Sequence, residues 1–357
     1  MKQHIKIRGA GPAGLAAAIT LARENYRVTV YEKARDCGAR FKGDLQGLEN
    51  WTSTTNVLDE MRSIGLGANN FDCDPFTSLT AIDADRKTAT FRSQQPLFYL
   101  VKRGSRSGTL DQGLKEQALG LGVDIKFNSP VAEDEVDVVA SGPLPHKLCA
   151  IDTGIIFETD ADDAAYGMLD DRSSYKGYSY LLITKGYGCM CTVLFDKFAE
   201  IHQQFALGRE IFKEITGINI KNPRQVGGYG NFTTQNTFVK GRQLYVGEAA
   251  GLQDLLWGFG IRIAFRSGHL AARCLIEGRD YAVEAKKLFS HSLRTGVVNR
   301  TIWEYLGNPG YKTLLALARR SQNPRQFLHC WLFQYSWWRR LVFPVALWNL
   351  RRRHPTI

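Results

Sequence analysis

Gly9-Ala10-Gly11-Pro12-Ala13-Gly14 is the first segment of the chain whose residue types and spacing could do specific chemistry. Glycines at this spacing turn a strand sharply into a helix and leave bare backbone where a ligand must come close. Gly9 permits the turn, Gly11 removes the side chain that would block a pyrophosphate, and Gly14 lets helix and strand approach. The helix N-terminus beginning at Pro12 and Ala13 then offers unpaired N–H groups and a partial positive charge to the phosphates. Glu32 stands eighteen residues after Gly14, at the end of the next strand, where its carboxylate would accept hydrogen bonds from ribose hydroxyls. Lys33 adjoins it and is grouped with the same binding residues.

These groups work only if a strand–helix–strand unit carries them, and the surrounding pattern supplies one. His4 to Arg8 alternate, Ala13 to Glu24 has helical composition and period, and Arg27 to Tyr31 is a β-branched strand. Beyond it the sequence predicts a helix over 54–65, several strands over 76–103, a helix from Thr109 to Leu121, and strands at Val123–Phe127 and Asp137–Ala140. From Ile151 the pattern changes to strand-like runs broken by glycine and polar turns, with one helix from Phe198 to Ile215. A strand at Gln243–Val246, a glycine-rich loop at Gly247–Gly260 and a helix at Ile261–Glu277 then return to the style of the first unit. The expected class is α/β. A Rossmann-like nucleotide-binding domain spans 1–150 and 241–280, a sheet-rich substrate domain is inserted at 151–240, and a helical, basic and aromatic tail follows at 281–357.

Leu244 to Leu275, reading LYVGEAAGLQDLLWGFGIRIAFRSGHLAARCL, resembles the second FAD-binding segment of the geranylgeranyl reductase and aromatic hydroxylase superfamily. That segment typically has Gly-Asp-Ala-Ala-Gly and then Pro-x-x-Gly-x-Gly-Ile entering a helix. The matching residues are Gly247, Glu248, Ala249, Ala250 and Gly251, then Leu255, Gly258, Gly260 and Ile261. Together with the N-terminal turn, the resemblance covers both FAD-binding ends of the chain and implies FAD as cofactor. The expected reductant is NAD(P)H or another electron donor, and no fixed site for it is seen, since no second GxGxxG stands between a strand and a helix. By the same resemblance, Arg103, followed by a TLDQGLKEQALGLGVDI helix and strand, lies near the cofactor, and Lys42 faces the pyrophosphate.

Departures from the pattern sharpen the substrate class. Glu248 replaces an aspartate, Leu255 a proline, and Trp257 and Phe259 replace small or polar residues at the presumed flavin face, making the pocket more apolar. Tyr178 and Tyr180 fall where the reductase branch has an aromatic substrate-lining motif, but its Trp, Phe and Pro are missing, and an alternating strand with ordinary core or rim tyrosines reads slightly better. The Trp-x-Trp-x-Ile-Pro segment of flavin halogenases is absent here. No Cys-x4-Cys pair, HxxxH or HExxH spacing occurs, so neither a dithiol nor a metal site is expected.

Charge and hydropathy bear on partners. Of 46 Lys and Arg, nine lie between Tyr305 and Ile357 without a single Asp or Glu, so most of the formal charge of +11 belongs to this tail. Four of the seven tryptophans (Trp331, Trp337, Trp338, Trp348) share it. Arg339, Arg340 and Pro344 interrupt its apolar runs, which makes it too broken to span a bilayer. Two readings stay open: an interfacial segment on an anionic membrane over residues 305–357, or terminal helices packed on the protein. Nucleic acid is not expected, because no recognised binding fold accompanies the charge. Scattered cysteines read as reduced thiols, and the opening residues have no export signal pattern, so the expected location is the cytoplasm, with the tail on the cytoplasmic face of a membrane.

The resemblance implies an FAD-dependent oxidoreductase that reduces carbon–carbon double bonds of an isoprenoid or other lipid. Two other activities share the scaffold: a monooxygenase, and a lycopene-cyclase-like isomerase with no net redox change. No acid or base is assigned from the sequence.

Overall fold

Alternation sets the first strand. Ile5 and Ile7 are buried while His4, Lys6 and Arg8 remain partly exposed along His4–Arg8. The computed structural model describes residues 3–143, 148–231 and 233–354. His4–Arg8 lies inside a six-stranded sheet in the order Val239–Lys240, Gln243–Tyr245, Val138–Val139, His4–Arg8, Arg27–Tyr31, Asp124–Lys126. Its pairings are parallel except for the Val239–Lys240 edge, and strands from both ends of the chain meet in it.

The helices in chain order are α1 (Pro12–Arg23), α2 (Val57–Ser63), α3 (Leu110–Gly120), α4 (Ile201–Thr216), α5 (Ile261–Glu277), α6 (Tyr281–Arg319), α7 (Pro324–Leu328) and α8 (Trp337–Arg353). Small residues let α1 and α5 touch backbone to backbone: a Cβ on Gly268 would fall 2.0 Å from the Ala13 carbonyl oxygen. This contact ties the N-terminal turn to the helix that follows the second glycine-rich loop.

A second sheet has seven strands, ordered Lys221–Gly230, Ala150–Glu158, Tyr187–Leu194, Tyr178–Thr184, Ala164–Leu169, Ser78–Asp83, Thr88–Arg92. It takes strands from both sides of residue 150, and Gly227, Gly228 and Gly230 lie within its edge strand. Helix α4 covers one face, burying Phe205, Ile211 and Phe212 against Met168, Leu181 and Met190. A three-stranded sheet of Lys42–Glu49, Phe98–Gly104 and Cys73–Phe76 joins the two larger layers.

The 39-residue α6 is broken at Gly307, whose φ of 55° and ψ of −166° are not helical, two residues before Pro309. Helix α8 packs back on α6 through Ala346 and Leu350. Among the described residues no helix is long and apolar enough to cross a membrane.

Candidate active site

Each glycine of the N-terminal turn has its own geometry. Gly9 has φ of +101°, and a Cβ there would sit 2.3 Å from the Ala140 carbonyl oxygen; a Cβ on Gly14 would sit 2.0 Å from the carbonyl oxygen of Gly9. Both glycines are demanded by backbone packing. Gly11 differs: a Cβ there would meet nothing within 4 Å. Gly11 is also the N-cap of α1, and no side chain caps that helix, whose first turn contains Pro12 and Ala13. Open space above bare helix N–H groups is what a pyrophosphate requires.

Glu32 is fixed beside this turn. One carboxylate oxygen accepts the Ala10 N–H at 2.8 Å and the other the Ala34 N–H at 2.9 Å. Each oxygen keeps a further lone pair for a ribose hydroxyl. Lys33 is exposed. These residues fit the adenosine half of a dinucleotide.

The second glycine-rich loop converges on the same region. Gly247 has φ of +59°, donates its N–H to Ser267 Oγ at 2.9 Å, and would bring a Cβ to 3.0 Å from that of Ala13. Gly260 is the N-cap of α5, again without a side-chain cap, and Ile261 begins the helix with its side chain in the core. Two uncapped helix N-termini, those of α1 and α5, therefore lie on elements packed together. Between them the loop is stapled by Asp254, which accepts the Trp257 N–H at 2.8 Å and the Leu256 N–H at 3.3 Å. Gln253 Nε2 donates to the Gly258 carbonyl at 2.9 Å. Burial pushes the Asp254 carboxyl up to about 6 against these N–H donors.

Cations line this region differently from one another. Arg103 is buried and forms a bidentate pair with Asp111 at 2.9 and 2.8 Å, while its remaining nitrogen donates to Gln46 Oε1 at 2.9 Å. Its guanidinium lies 4.3 Å from the centre of the Phe41 ring. With its donors engaged in this way, Arg103 fixes the walls of the site. Lys42 is exposed and reaches the Gln225 carbonyl at 3.3 Å. Arg40, which the sequence reading did not single out, pairs with Glu248 at 3.7 Å. Burial raises the Glu248 carboxyl, with Arg40 and Arg103 acting against it.

Beyond the loop is an aromatic cluster. Trp257 meets Trp51 at 6.5 Å, Phe259 at 6.2 Å, Trp303 at 5.8 Å and Phe333 at 6.2 Å between ring centres. Trp51 also lies edge-on to Phe259 at 5.3 Å and to Phe98 at 6.0 Å. Tyr178 donates its hydroxyl to the Trp257 carbonyl at 2.6 Å. Tyr180 packs with Trp257 and Phe259 in the same apolar cluster. Thus the four residues placed in a substrate pocket from sequence share one neighbourhood. Trp51, Phe98, Trp303 and Phe333 escaped notice, since nothing in their local sequence marks the long-range contact.

Glu49 lies at the edge of this cluster, two residues before Trp51. Its side chain is 2% exposed, one carboxylate oxygen accepts from Thr52 at 3.2 Å, and the other has no hydrogen-bond partner. Burial pushes Glu49 up to about 7, with Arg262 opposing and Asp254 adding to the rise. Arg262, in the first turn of α5, is itself buried and spends its other nitrogens on Glu60 and the Thr55 carbonyl, leaving Nη1 unpaired. A carboxyl poised near neutrality beside apolar rings can hold or release a proton.

The opening segment and the fold both have counterparts among known proteins. Residues 7–48 match the model of an NAD(P)-binding Rossmann-like domain. Over 41 residues the chain is 54% identical to an all-trans-zeta-carotene desaturase of Myxococcus xanthus, covering 12% of this chain and 8% of that protein. Over 137 residues it is 29% identical to an L-amino-acid oxidase of Vipera ammodytes ammodytes, covering 35% of this chain and 28% of that one. The chain therefore spans under a third of the length of either relative. Solved structures match along almost the whole chain. A geranylgeranyl bacteriochlorophyll reductase-like protein of Thermoplasma acidophilum gives a TM-score of 0.71 at 15% identity, covering 99% of each chain. A flavin-dependent brominase gives 0.65 at 15%, covering 98% of this chain and 100% of that one. A p-nitrophenol 4-monooxygenase of Pseudomonas putida gives 0.61 at 16%, covering 92% and 98%. In fold the chain is similar to these proteins along almost its whole length, and its opening segment matches a Rossmann-like NAD(P)-binding domain.

Proposed function

We propose that this chain is an FAD-dependent reductase of carbon–carbon double bonds in a hydrophobic, isoprenoid or lipid substrate, working at a membrane surface. The observation that carries the reading is the aromatic cluster of Trp51, Trp257, Phe259 and Phe333 built directly onto the loop that leads into α5. Bound FAD would supply the two-electron chemistry. The residues of the chain do the rest. The Gly11 turn and α1 receive the pyrophosphate, Glu32 orients the ribose, and the α5 N-terminus favours negative charge at the ring end. The aromatic rings exclude water and hold an apolar chain, while offering few groups to orient a phenol or an acid. Glu49 is the carboxyl best situated to hold a proton there.

The tail supports the membrane part of this reading. On α8, Trp337, Leu341, Val345 and Trp348 form one helical stripe and are 76%, 68%, 63% and 60% exposed. Arg340, Arg351 and Arg352 stand beside the stripe and are also exposed. Apolar residues set among cations suit an anionic bilayer surface, while the opposite face of α8 remains packed on α6. The final residues 355–357 of this region lie outside the described part.

Mass spectrometry of lipids from cells expressing the protein tests the reaction. A product heavier by two hydrogens supports the reductase, a gain of one oxygen supports a monooxygenase, and an isomer of unchanged mass supports a cyclase-like enzyme. For the membrane, replacing Trp337, Leu341, Val345 and Trp348 together with serine should abolish co-sedimentation with anionic vesicles without altering flavin content. Unchanged sedimentation would refute it.

A further inference from the structure

A cavity of about 230 Å³ opens between α6, α8 and the segment from Thr233 to Phe238. Lys286, Ser290, Leu293 and Val297 form its floor as one stripe of α6, with Arg294 beside them. Phe343 and Leu347, one turn apart on α8, and Leu255 from the glycine-rich loop also line it.

This lining is graded. Lys286 and Val297 stand about 16 Å apart along α6. Lys286 and Ser290 make one end polar, whereas Leu293 and Val297 at the other pack with Leu255, Phe343 and Leu347 in one apolar cluster. Arg294 marks the boundary, its guanidinium 5.6 Å from the centre of the Phe343 ring. Both cations are exposed at the mouth. Among the described residues neither forms an ion pair, although the neighbouring Lys287 is paired with Glu284 at 2.8 Å. Two uncompensated cations above an apolar end match a molecule with one anionic head and one hydrocarbon chain. The volume exceeds the roughly 150 Å³ that encloses benzene and falls below the roughly 300 Å³ of the smallest ordinary ligand pockets, so one narrow chain end fits and a fused ring system does not.

We propose that this cavity binds a single-chain anionic amphiphile, with its carboxylate or phosphate held by Lys286 and Arg294 and its hydrocarbon end against Leu255, Val297, Phe343 and Leu347. The site uses the inner face of α8 and is separate from the outward stripe that would meet a bilayer. It does not depend on the reductase reading. Because Leu255 belongs to the loop that carries Asp254 and Trp257, an occupant braces that loop from behind.

Calorimetric titration of the full-length, flavin-loaded protein tests the proposal, using dodecyl phosphate and dodecanoate below their micelle-forming concentrations. Dodecanol and inorganic phosphate are the controls. One anionic amphiphile should bind per chain, with dodecanol at least about tenfold weaker and inorganic phosphate showing no saturable binding. The tighter of the two anions identifies the head group. Lys286→Gln and Arg294→Gln should each weaken binding about threefold and together about tenfold, as expected for exposed charge pairs. Leu293→Trp or Leu347→Trp should fill the cavity and remove binding while flavin content and Tm report folding. If either bulky variant does not fold, the exposed charge variants still decide. Absence of saturable binding by both anions, equal binding of dodecanol, or unchanged affinity in the folded variants would overturn it. Such a failure leaves the proposed reaction untouched, since that is read from the mass of lipid products.

Discussion

The two glycine-rich turns of the candidate site are built by opposite means. At Gly9–Gly14 backbone meets backbone: Gly9 and Gly14 leave no room for a Cβ, and no side chain caps the helix. At Gly247–Gly260 side chains hold the loop from within and from afar. Asp254 and Gln253 tie its own backbone, Ser267 receives the Gly247 N–H, and Arg300 on α6 donates to the Leu256 carbonyl at 3.1 Å. A turn fixed by sterics tolerates almost no substitution at its contact points, whereas a loop fixed by buried polar groups responds to pH and can be loosened one hydrogen bond at a time.

The largest effect is expected at the contact glycines. Gly14→Ala or Gly9→Ala should cost more than about 4 kcal/mol, seen as loss of a cooperative melt or of soluble protein, because the new methyl strikes a carbonyl that cannot move. A shift of under about 1 kcal/mol would break the steric account of this turn.

Next comes the pH response beside the second loop. Glu49 and Asp254 both have carboxyls raised by burial, to about 7 and about 6, so the folded state holds their protons more tightly than the unfolded chain does. Their contribution to stability is complete at acidic pH, below their unfolded values, and is lost as pH rises through the folded ones. For Glu49 the loss amounts to about 3 kcal/mol. Urea unfolding between pH 4 and 8 should show this decline, and Glu49→Gln should flatten it. A variant with the same slope as the wild type would remove Glu49 from the account.

Loosening the loop directly is a smaller perturbation. Asp254→Ala leaves the Trp257 and Leu256 N–H groups without their acceptor and should cost about 2 kcal/mol while weakening flavin retention. Retention equal to wild type would show that the staple is dispensable. The smallest effect is at the open glycine. Gly11→Ala should change the stability of flavin-free protein by no more than about 0.5 kcal/mol, since its methyl meets nothing within 4 Å.

This contrast also explains what could be read from the sequence. The spacing of Gly9, Gly11, Gly14 and Glu32 encodes a local strand–turn–helix–strand unit, and the structure realises it with Glu32 bonded to Ala10 and Ala34. Helix α5 begins at Ile261 and ends at Glu277, as its period indicated. The aromatic cluster was only half legible. Trp257 and Phe259 stand within a recognisable loop, but Trp51, Trp303 and Phe333 reach them from other elements, and no periodicity records such contacts. Glu49 was invisible for the same reason, because its burial is created by neighbours distant in sequence. Arg103 and Asp111 are eight residues apart, yet their pairing depends on a strand turning back onto a helix. On the tail, the packing of α8 is seen directly, while what meets its outward stripe is a proposal. Ala346 and Leu350 pack inward while Trp337, Leu341, Val345 and Trp348 face out.

Flavin content of the purified protein tests the central claim most directly. Wild type should carry one FAD per chain, seen as a flavin absorption spectrum and released adenine dinucleotide. Gly11→Asp should fold with unchanged far-ultraviolet circular dichroism yet carry almost none, because its carboxylate would occupy the open space above α1 and repel the pyrophosphate. Full flavin occupancy in Gly11→Asp, or a wild type that neither contains nor takes up FAD, would contradict the assignment.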